Sequence, residues 1–193
     1  MSRPAVFLDR DGVLIADVGP LVDADGVRVL PGVPDALSAL AAAGYALVIV
    51  TNQTVVARGL ASEQQLDELH GVLQDQLRQQ GAPELDGIYV CLHHPSATLD
   101  RYRIDCDCRK PKPGLVLRAA RELGLDLARS TIVGDRASDV VAGRLAGCAT
   151  ILVRSGAHLD PPIETTLELT ETIPPDYVCD DLAEAASWIL GRQ

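Results

Sequence analysis

The 193-residue sequence predicts an α/β protein, a doubly wound and mainly parallel β-sheet with helices on both faces. Three observations carry that expectation. Six short runs are apolar and β-branched on successive residues, as strands buried on both faces are. Helical patterns fall between most of these runs instead of forming a separate block. Neither internal repeats nor low-complexity segments interrupt the alternation.

The first run is Ala5–Leu8. The helix pattern after it places Val33, Ala36, Leu37, Leu40 and Ala41 on one stripe, with Pro34 near its start and Gly44 past its end. Ala46–Val50 is the second run. The next helix opens at Ser62 with the capping-box pattern SEQQ and carries Leu66, Leu69, Leu73 and Leu77 before Gly81. Gly87–Val90 is the third run, and Leu115, Ala119, Ala120 and Leu123 mark a helix stopped by Gly124. Thr131–Val133 leads to Ala137, Val140, Val141 and Leu145, then Gly147. Thr150–Val153 and Tyr177–Cys179 complete the strands, and Leu182, Ala185, Ala186 and Ile189 form the final stripe.

Composition bounds the function classes. At 47% hydrophobic and 23% charged residues the chain reads as one domain over 1–193, burying roughly 70% of its unfolded surface. No apolar run approaches the ~18 residues of a membrane span. The opening MSRPAVFLDRDG enters a strand at once, with no signal peptide visible, so a cytoplasmic protein with reduced thiols is expected. The five cysteines do not suit a disulfide framework, and Cys148 and Cys179 read as small core hydrophobes. A net charge of -10 and 3% aromatics lack the basic face and stacking platforms of a nucleic-acid binder. An anionic substrate would have to be drawn in by local cations.

Ligands of such sheets bind beyond the carboxyl ends of the strands, so the residues closing each strand come next. FLDRDG places Asp9 at the end of the first strand and Asp11 two residues on, where both can face one space. Two carboxylates that close repel unless a cation sits between them or one holds a proton. A metal on Asp9 would keep it ionised while Asp11 stays protonated as an acid; a plain Asp-Gly turn suits the stretch equally. VIVTNQ ends the second strand with Thr51 and Asn52, a hydroxyl and an amide placed for phosphate oxygens or simply a polar loop start. After the third strand, CRKPKPG gathers Arg109, Lys110 and Lys112 near Arg103, and Pro113 with Gly114 start a helix whose free amides favour anions. IVGDRASD supplies Asp135, a second candidate metal ligand after a glycine that permits tight packing, and Asp139, a helix cap or an orienting acid.

The loop after the third strand, residues 91–109, carries a second signal. Cys91-x-His93, twelve residues, then Cys106-x-Cys108 offers three thiolates and one imidazole, a set that closes a tetrahedral and therefore structural Zn²⁺ site. His94 competes with His93 for the fourth position; His93 mirrors the Cys-x-Cys spacing. Such a site fixes both ends of a long loop and sets Arg109 and Lys110 directly after it. His70, His158 and the acidic stretch 155–176 receive no role.

DRDGV, TNQ, KPKPG and GDRASD, in that order and spacing, resemble the four motifs of the haloacid dehalogenase (HAD) superfamily of phosphoryl-transfer enzymes, over nearly the whole chain. The resemblance implies Asp9 as nucleophile and Asp11 as acid/base. It implies Mg²⁺ on the Asp9 and Asp135 side chains and the Asp11 carbonyl, and Thr51 with Lys110 on the phosphoryl oxygens. Lys110 is preferred to Lys112 because it directly precedes the first proline of K-P-x-P. CLHHP…CDCRKPKPG resembles the zinc-bearing branch that holds the D,D-heptose 1,7-bisphosphate and histidinol-phosphate phosphatases. The twelve-residue gap, and TNQTVVARG beside the heptose-type TNQSGIARG, match the heptose type better. That likeness implies substrate contacts at Asp17, at Thr51, Asn52, Gln53 and Thr54, and at Arg109 and Lys110. Ile15, Pro20 and Thr54-Val55 replace the Asn, Tyr and Ser-Gly of that pattern, near the expected substrate rim.

About twenty residues separate Asp11 from the first helix, too few for a separate cap domain, so short loops must set specificity. The expected activity is Mg²⁺-dependent hydrolysis of a small sugar phosphate through an aspartyl-phosphate, by a monomer. Heptose bisphosphate leads, with histidinol phosphate or another small monoester as the alternative. A phospho-receiver signalling domain shares the acids, hydroxyl and lysine, but its order differs, since here the last acids follow the lysine. A DNA-end phosphatase fits poorly with the acidic composition.

Overall fold

The computed structural model describes residues 2–156 and 173–192. In chain order they form β1 (Ala5–Leu8), α1 (Val33–Ala42), β2 (Ala46–Asn52), α2 (Glu63–Gln79), β3 (Gly87–Cys91), α3 (Gly114–Leu123), β4 (Thr131–Gly134), α4 (Ala137–Ala146), β5 (Ala149–Val153), β6 (Tyr177–Cys179) and α5 (Leu182–Leu190). The six strands are all parallel in the order β3-β2-β1-β4-β5-β6. Strand order reverses between β1 and β4, which opens a crevice at their carboxyl ends. Asp9 lies one residue past β1, and its amide still donates to Val133 O at 3.0 Å. β2 and β3 run further than their apolar runs, because Thr51 pairs with Val90 and Asn52 with Cys91.

Strand side chains alternate between two cores. Val6, Leu8, Leu47, Ile49 and Val133 face one side, under α1, α2 and α5. Ala5, Phe7, Val48, Val50 and Ile132 face the other, under α3 and Ala146 of α4. The capping box at Ser62 forms as its spacing predicts: Ser62 Oγ accepts from Gln65 N at 3.1 Å, and Gln65 Oε1 accepts from Ser62 N at 2.8 Å. Leu123 and Leu145 depart from expectation. Both sit in the last turn of their helices and are exposed; in α3 the buried stripe ends at Ala120, and in α4 Ala146 takes the buried place.

Between β1 and α1 the chain makes only the short 3-10 helix Ala24–Gly26 and isolated bridges of Ile15 to Asp11 and Val29. No cap domain lies there. No helix among the described residues is long and apolar enough to cross a membrane. His158 and most of the stretch 155–176 fall outside the described residues.

α4 carries Asp139 and lies close on β4. A Cβ at Gly143 would sit 2.1 Å from Ile132 Cγ2 and 2.8 Å from Thr150 Cγ2, both on β-branched side chains with little χ1 freedom. Gly143→Ala gains about 1 kcal/mol of helix propensity but overpacks the interface at a cost of about 1–3 kcal/mol. We expect net destabilisation of about 1 kcal/mol in urea unfolding. A variant as stable as the parent would show that α4 can move off the sheet.

Candidate active site

Lys110 is the centre of the crevice. It is 3% exposed, and its Nζ donates to Val50 O at 2.8 Å while lying 3.0 Å from Asp9 Oδ1 and 2.5 Å from Asp139 Oδ1. The end of β1, Val50 of β2 and the first turn of α4 thus meet on one ammonium. Burial alone would lower its pKa; the Asp139 and Asp9 carboxylates outweigh that and leave it raised. Burial pushes Asp139 up to about 6, with Lys110 opposing and Asp9 reinforcing the shift. Asp139 also accepts from Arg136 N at 3.1 Å on Oδ2, so it caps α4 and orients Lys110 together. Gly134 allows this approach, since a Cβ there would lie 2.1 Å from Asp139 Cβ.

Carboxylate oxygens of Asp9, Asp135 and Asp139 lie within 4.8 Å of one another. Asp135 and Asp139 are fully buried, and Asp9 is 8% exposed at the crevice floor. Asp135 Oδ2 has Arg136 Nε at 4.0 Å, on the rim. Asp9, Asp135 and Asp139 thus crowd around one buried ammonium, Lys110, an imbalance that favours a further cation. Three hard oxygen donors suit Mg²⁺.

Asp11 is held from behind by Arg10, to which the sequence assigned no role, and by Gln53, expected as a substrate contact, whose amide is taken up by Asp11, Thr51 and Arg10. Arg10 is 1% exposed. Its Nη2 donates to Asp11 Oδ1 and Oδ2 at 3.1 and 3.0 Å and to Gln53 Oε1 at 2.8 Å, and its Nε reaches Asp11 Oδ2 at 3.2 Å. Gln53 Nε2 donates to Asp11 Oδ2 at 2.7 Å and to Thr51 Oγ1 at 3.0 Å. Burial raises the Asp11 pKa, Arg10 opposes it and Asp9 adds to it; the net shift favours the protonated form. Arg10 stands between the two acids of DRD, where a cation can pair with either. His70, 3.3 Å from Arg10 Nη1, sits on the same stripe as Leu66, Leu69, Leu73 and Leu77. Both signals were in the sequence.

The other expected contacts divide. Thr51 is buried at the crevice, and Thr54 is half-buried beside it. The Asn52 amide is occupied instead by the Lys110 backbone, accepting from its N at 3.1 Å and donating to its O at 3.0 Å. Asp17 pairs with Arg136 at 3.0 Å. Of the four clustered cations only Lys110 reaches the strand ends. Lys112 is held by Asp105 at 2.6 Å, Arg103 by Asp100 at 2.9 Å, and half-buried Arg109 donates to His93 O at 3.1 Å. Gly114 N donates to Asp107 O at 3.0 Å, so that amide of α3 is not open to an anion. Ile15 is fully buried and Val55 nearly so, each inside a core cluster. Of the rim departures only Pro20 is exposed.

The loop after β3 brings its donors together. Sγ–Sγ distances are 3.6 Å for Cys91–Cys106, 3.2 Å for Cys91–Cys108 and 3.2 Å for Cys106–Cys108. His93 Nδ1 lies 3.4 Å from Cys108 Sγ and 4.0 Å from Cys91 Sγ. A tetrahedron with Zn–S bonds near 2.3 Å has S···S edges of about 3.8 Å, so the set fits zinc. All three thiols are free. His94 is turned elsewhere, its Nδ1 accepting from Ser96 N at 3.0 Å.

Known proteins share these features. The HAD-hydrolase-like family profile matches residues 107–185. The D-glycero-β-D-manno-heptose-1,7-bisphosphate 7-phosphatase of Photorhabdus laumondii is 44% identical over 167 residues, covering 86% of this chain and 88% of the relative. The Vibrio cholerae enzyme of the same name is 43% identical over 181 residues, 93% of this chain and 95% of that one. The crystal structure of D,D-heptose 1,7-bisphosphate phosphatase from B. bronchiseptica, complexed with magnesium and phosphate, superposes with a TM-score of 0.83 at 34% identity, covering 98% of this chain and 99% of that one. Matched at this identity along nearly its whole length, the chain belongs to the D-glycero-β-D-manno-heptose-1,7-bisphosphate 7-phosphatase family of HAD-like hydrolases.

Proposed function

We propose that the chain is a Mg²⁺-dependent phosphatase that removes the 7-phosphate of D-glycero-β-D-manno-heptose 1,7-bisphosphate through an aspartyl-phosphate on Asp9. The observation that carries the reading is the meeting of Asp9, Lys110 and the buried acids Asp135 and Asp139 at the switch point between β1 and β4. The names of the relatives support the substrate, and the magnesium and phosphate of the B. bronchiseptica complex support the chemistry.

Asp9 Oδ attacks phosphorus in line with the ester oxygen, and the P–O bond to the sugar breaks as the Asp9–phosphorus bond forms. Protonated Asp11 gives its proton to the departing sugar oxygen. A water then attacks the aspartyl-phosphate and passes a proton to the Asp11 carboxylate, releasing inorganic phosphate and restoring both acids. Lys110 and Thr51 hold the equatorial oxygens of the group in flight, while Asp139 and Asn52 keep Lys110 in place. Asp9, Asp135 and the Asp11 carbonyl would hold Mg²⁺, which when bound neutralises phosphoryl charge and aims Asp9. Cys91, His93, Cys106 and Cys108 would hold Zn²⁺, which when bound fixes the loop that ends at Arg109 and Lys110. Arg109 and the residues around Asp17 and Thr54 then form the sugar-facing rim.

Side-by-side turnover of the heptose bisphosphate, histidinol phosphate and fructose 1,6-bisphosphate tests the substrate. We expect kcat/KM for the heptose bisphosphate to exceed the others by roughly tenfold or more, and activity to vanish without Mg²⁺. A preference for histidinol phosphate would move the chain's activity to the other zinc-bearing type. Asp9→Asn is expected to lower kcat by about a thousandfold or more with circular dichroism unchanged; near-parental turnover would remove Asp9 as nucleophile. Cys106→Ser is expected to lose its zinc by elemental analysis and to melt roughly 5–10 °C lower. A variant that retains one zinc per chain would show a different ligand set.

A further inference from the structure

We propose that His70 is a positioning residue for the proton-transfer step: its Nε2 anchors the Arg10 guanidinium, and Arg10 in turn brackets the Asp11 carboxylate. This inference rests on the reading of Asp11 as the acid/base. A histidine on the apolar stripe of α2 is most simply a packing residue, and a leucine at that position would pack as well without burying a polar ring. His70 is 5% exposed, and its ring meets Arg10 Nη1 at 3.3 Å. Guanidinium nitrogens only donate, so Nε2 must present its lone pair, and the proton sits on Nδ1 of a neutral ring. Burial first, and the charge of Arg10 second, lower the His70 pKa to about 4, which keeps that ring neutral at pH 7.

The geometry divides the guanidinium's work. Nε and Nη2 face Asp11, with both Asp11 oxygens within 3.2 Å, and Nη2 also reaches Gln53 Oε1 at 2.8 Å. Among the described residues, the hydrogen-bond partner of Nη1 is His70. Arg10 has almost no exposed surface, so no solvent replaces a lost acceptor. Without His70 the guanidinium must turn to satisfy Nη1, and that turn moves Nε and Nη2 off the Asp11 carboxylate. A small angular error at a proton donor slows the transfer without unfolding the protein.

The test compares His70→Leu and His70→Gln on two substrates. kcat/KM reports the steps up to leaving-group departure, and p-nitrophenolate leaves without a proton where a sugar alkoxide cannot. His70→Leu is expected to lower kcat/KM about tenfold on the heptose bisphosphate and less than about twofold on p-nitrophenyl phosphate. His70→Gln, whose amide oxygen can accept from Nη1, is expected to recover most of that loss. If His70→Leu folds poorly by circular dichroism, His70→Asn, polar but a methylene shorter than Gln, should show the same selective loss. Parental activity in the Leu and Asn variants, equal loss on both substrates, or no recovery with Gln would overturn the inference and return His70 to packing. Asp11→Asn separates the two claims. If it is inactive on the sugar phosphate while His70→Leu is parental, only the His70 role fails; if it is fully active, the reading of Asp11 fails and His70 with it.

Discussion

One buried ammonium sets the terms for this protein. Lys110 carries a full charge into the sheet's end, and only the Asp9 and Asp139 carboxylates with the Val50 carbonyl make that tolerable. Each partner comes from a different strand end or helix start, so the ion pairs hold β1, β2 and α4 in register at the crevice. Removing Lys110 would leave the buried Asp9 and Asp139 carboxylates facing each other without a cation. The cluster still carries more carboxylate than ammonium, and that surplus favours a further cation at the crevice. The surplus is local, within a chain whose net charge is -10.

A second constraint reaches Lys110 from the loop. Cys108 is two residues before it, and the donors at Cys91, His93 and Cys106 tie that point to the end of β3. Asn52 grips the Lys110 backbone on both its N and its O. The loop also docks on the turn after β2, where Ala97 and Tyr102 pack with Val55, Val56 and Ala57, and Leu99 N donates to Ala57 O at 3.0 Å. Cysteine–histidine cluster, amide clamp and small apolar core act on one short stretch of chain, and together they place the lysine.

Where sequence reading and structure part, the differences share a cause. Asn52 looked like a phosphate contact because it ends a strand beside Thr51, but its amide meets the Lys110 backbone, a partner 58 residues away. Arg103 and Lys112 counted as part of a cationic cluster, yet Asp100 and Asp105 hold each of them locally. Ile15 and Val55 differ from the heptose-type pattern, but both turn into apolar clusters and leave the rim to others. Residue type and position along the chain say what a side chain can do. They do not say which of several partners takes its hydrogen bonds.

The alternation of strands and helices, the carboxyl-end location of the acids, and a zinc-type set of three cysteines with a histidine can all be read from the chain alone. These follow from short-range rules: strand period, helix caps, and the spacing of ligands along a loop. That Asp139 joins Asp9 on Lys110, that His93 and not His94 faces the thiols, and that Arg10 with His70 stands behind Asp11 emerge once the chain is folded. Those choices rest on contacts between segments tens of residues apart. In a buried, low-dielectric setting each polar group must find its partner, and only the packed chain shows which ones lie within reach.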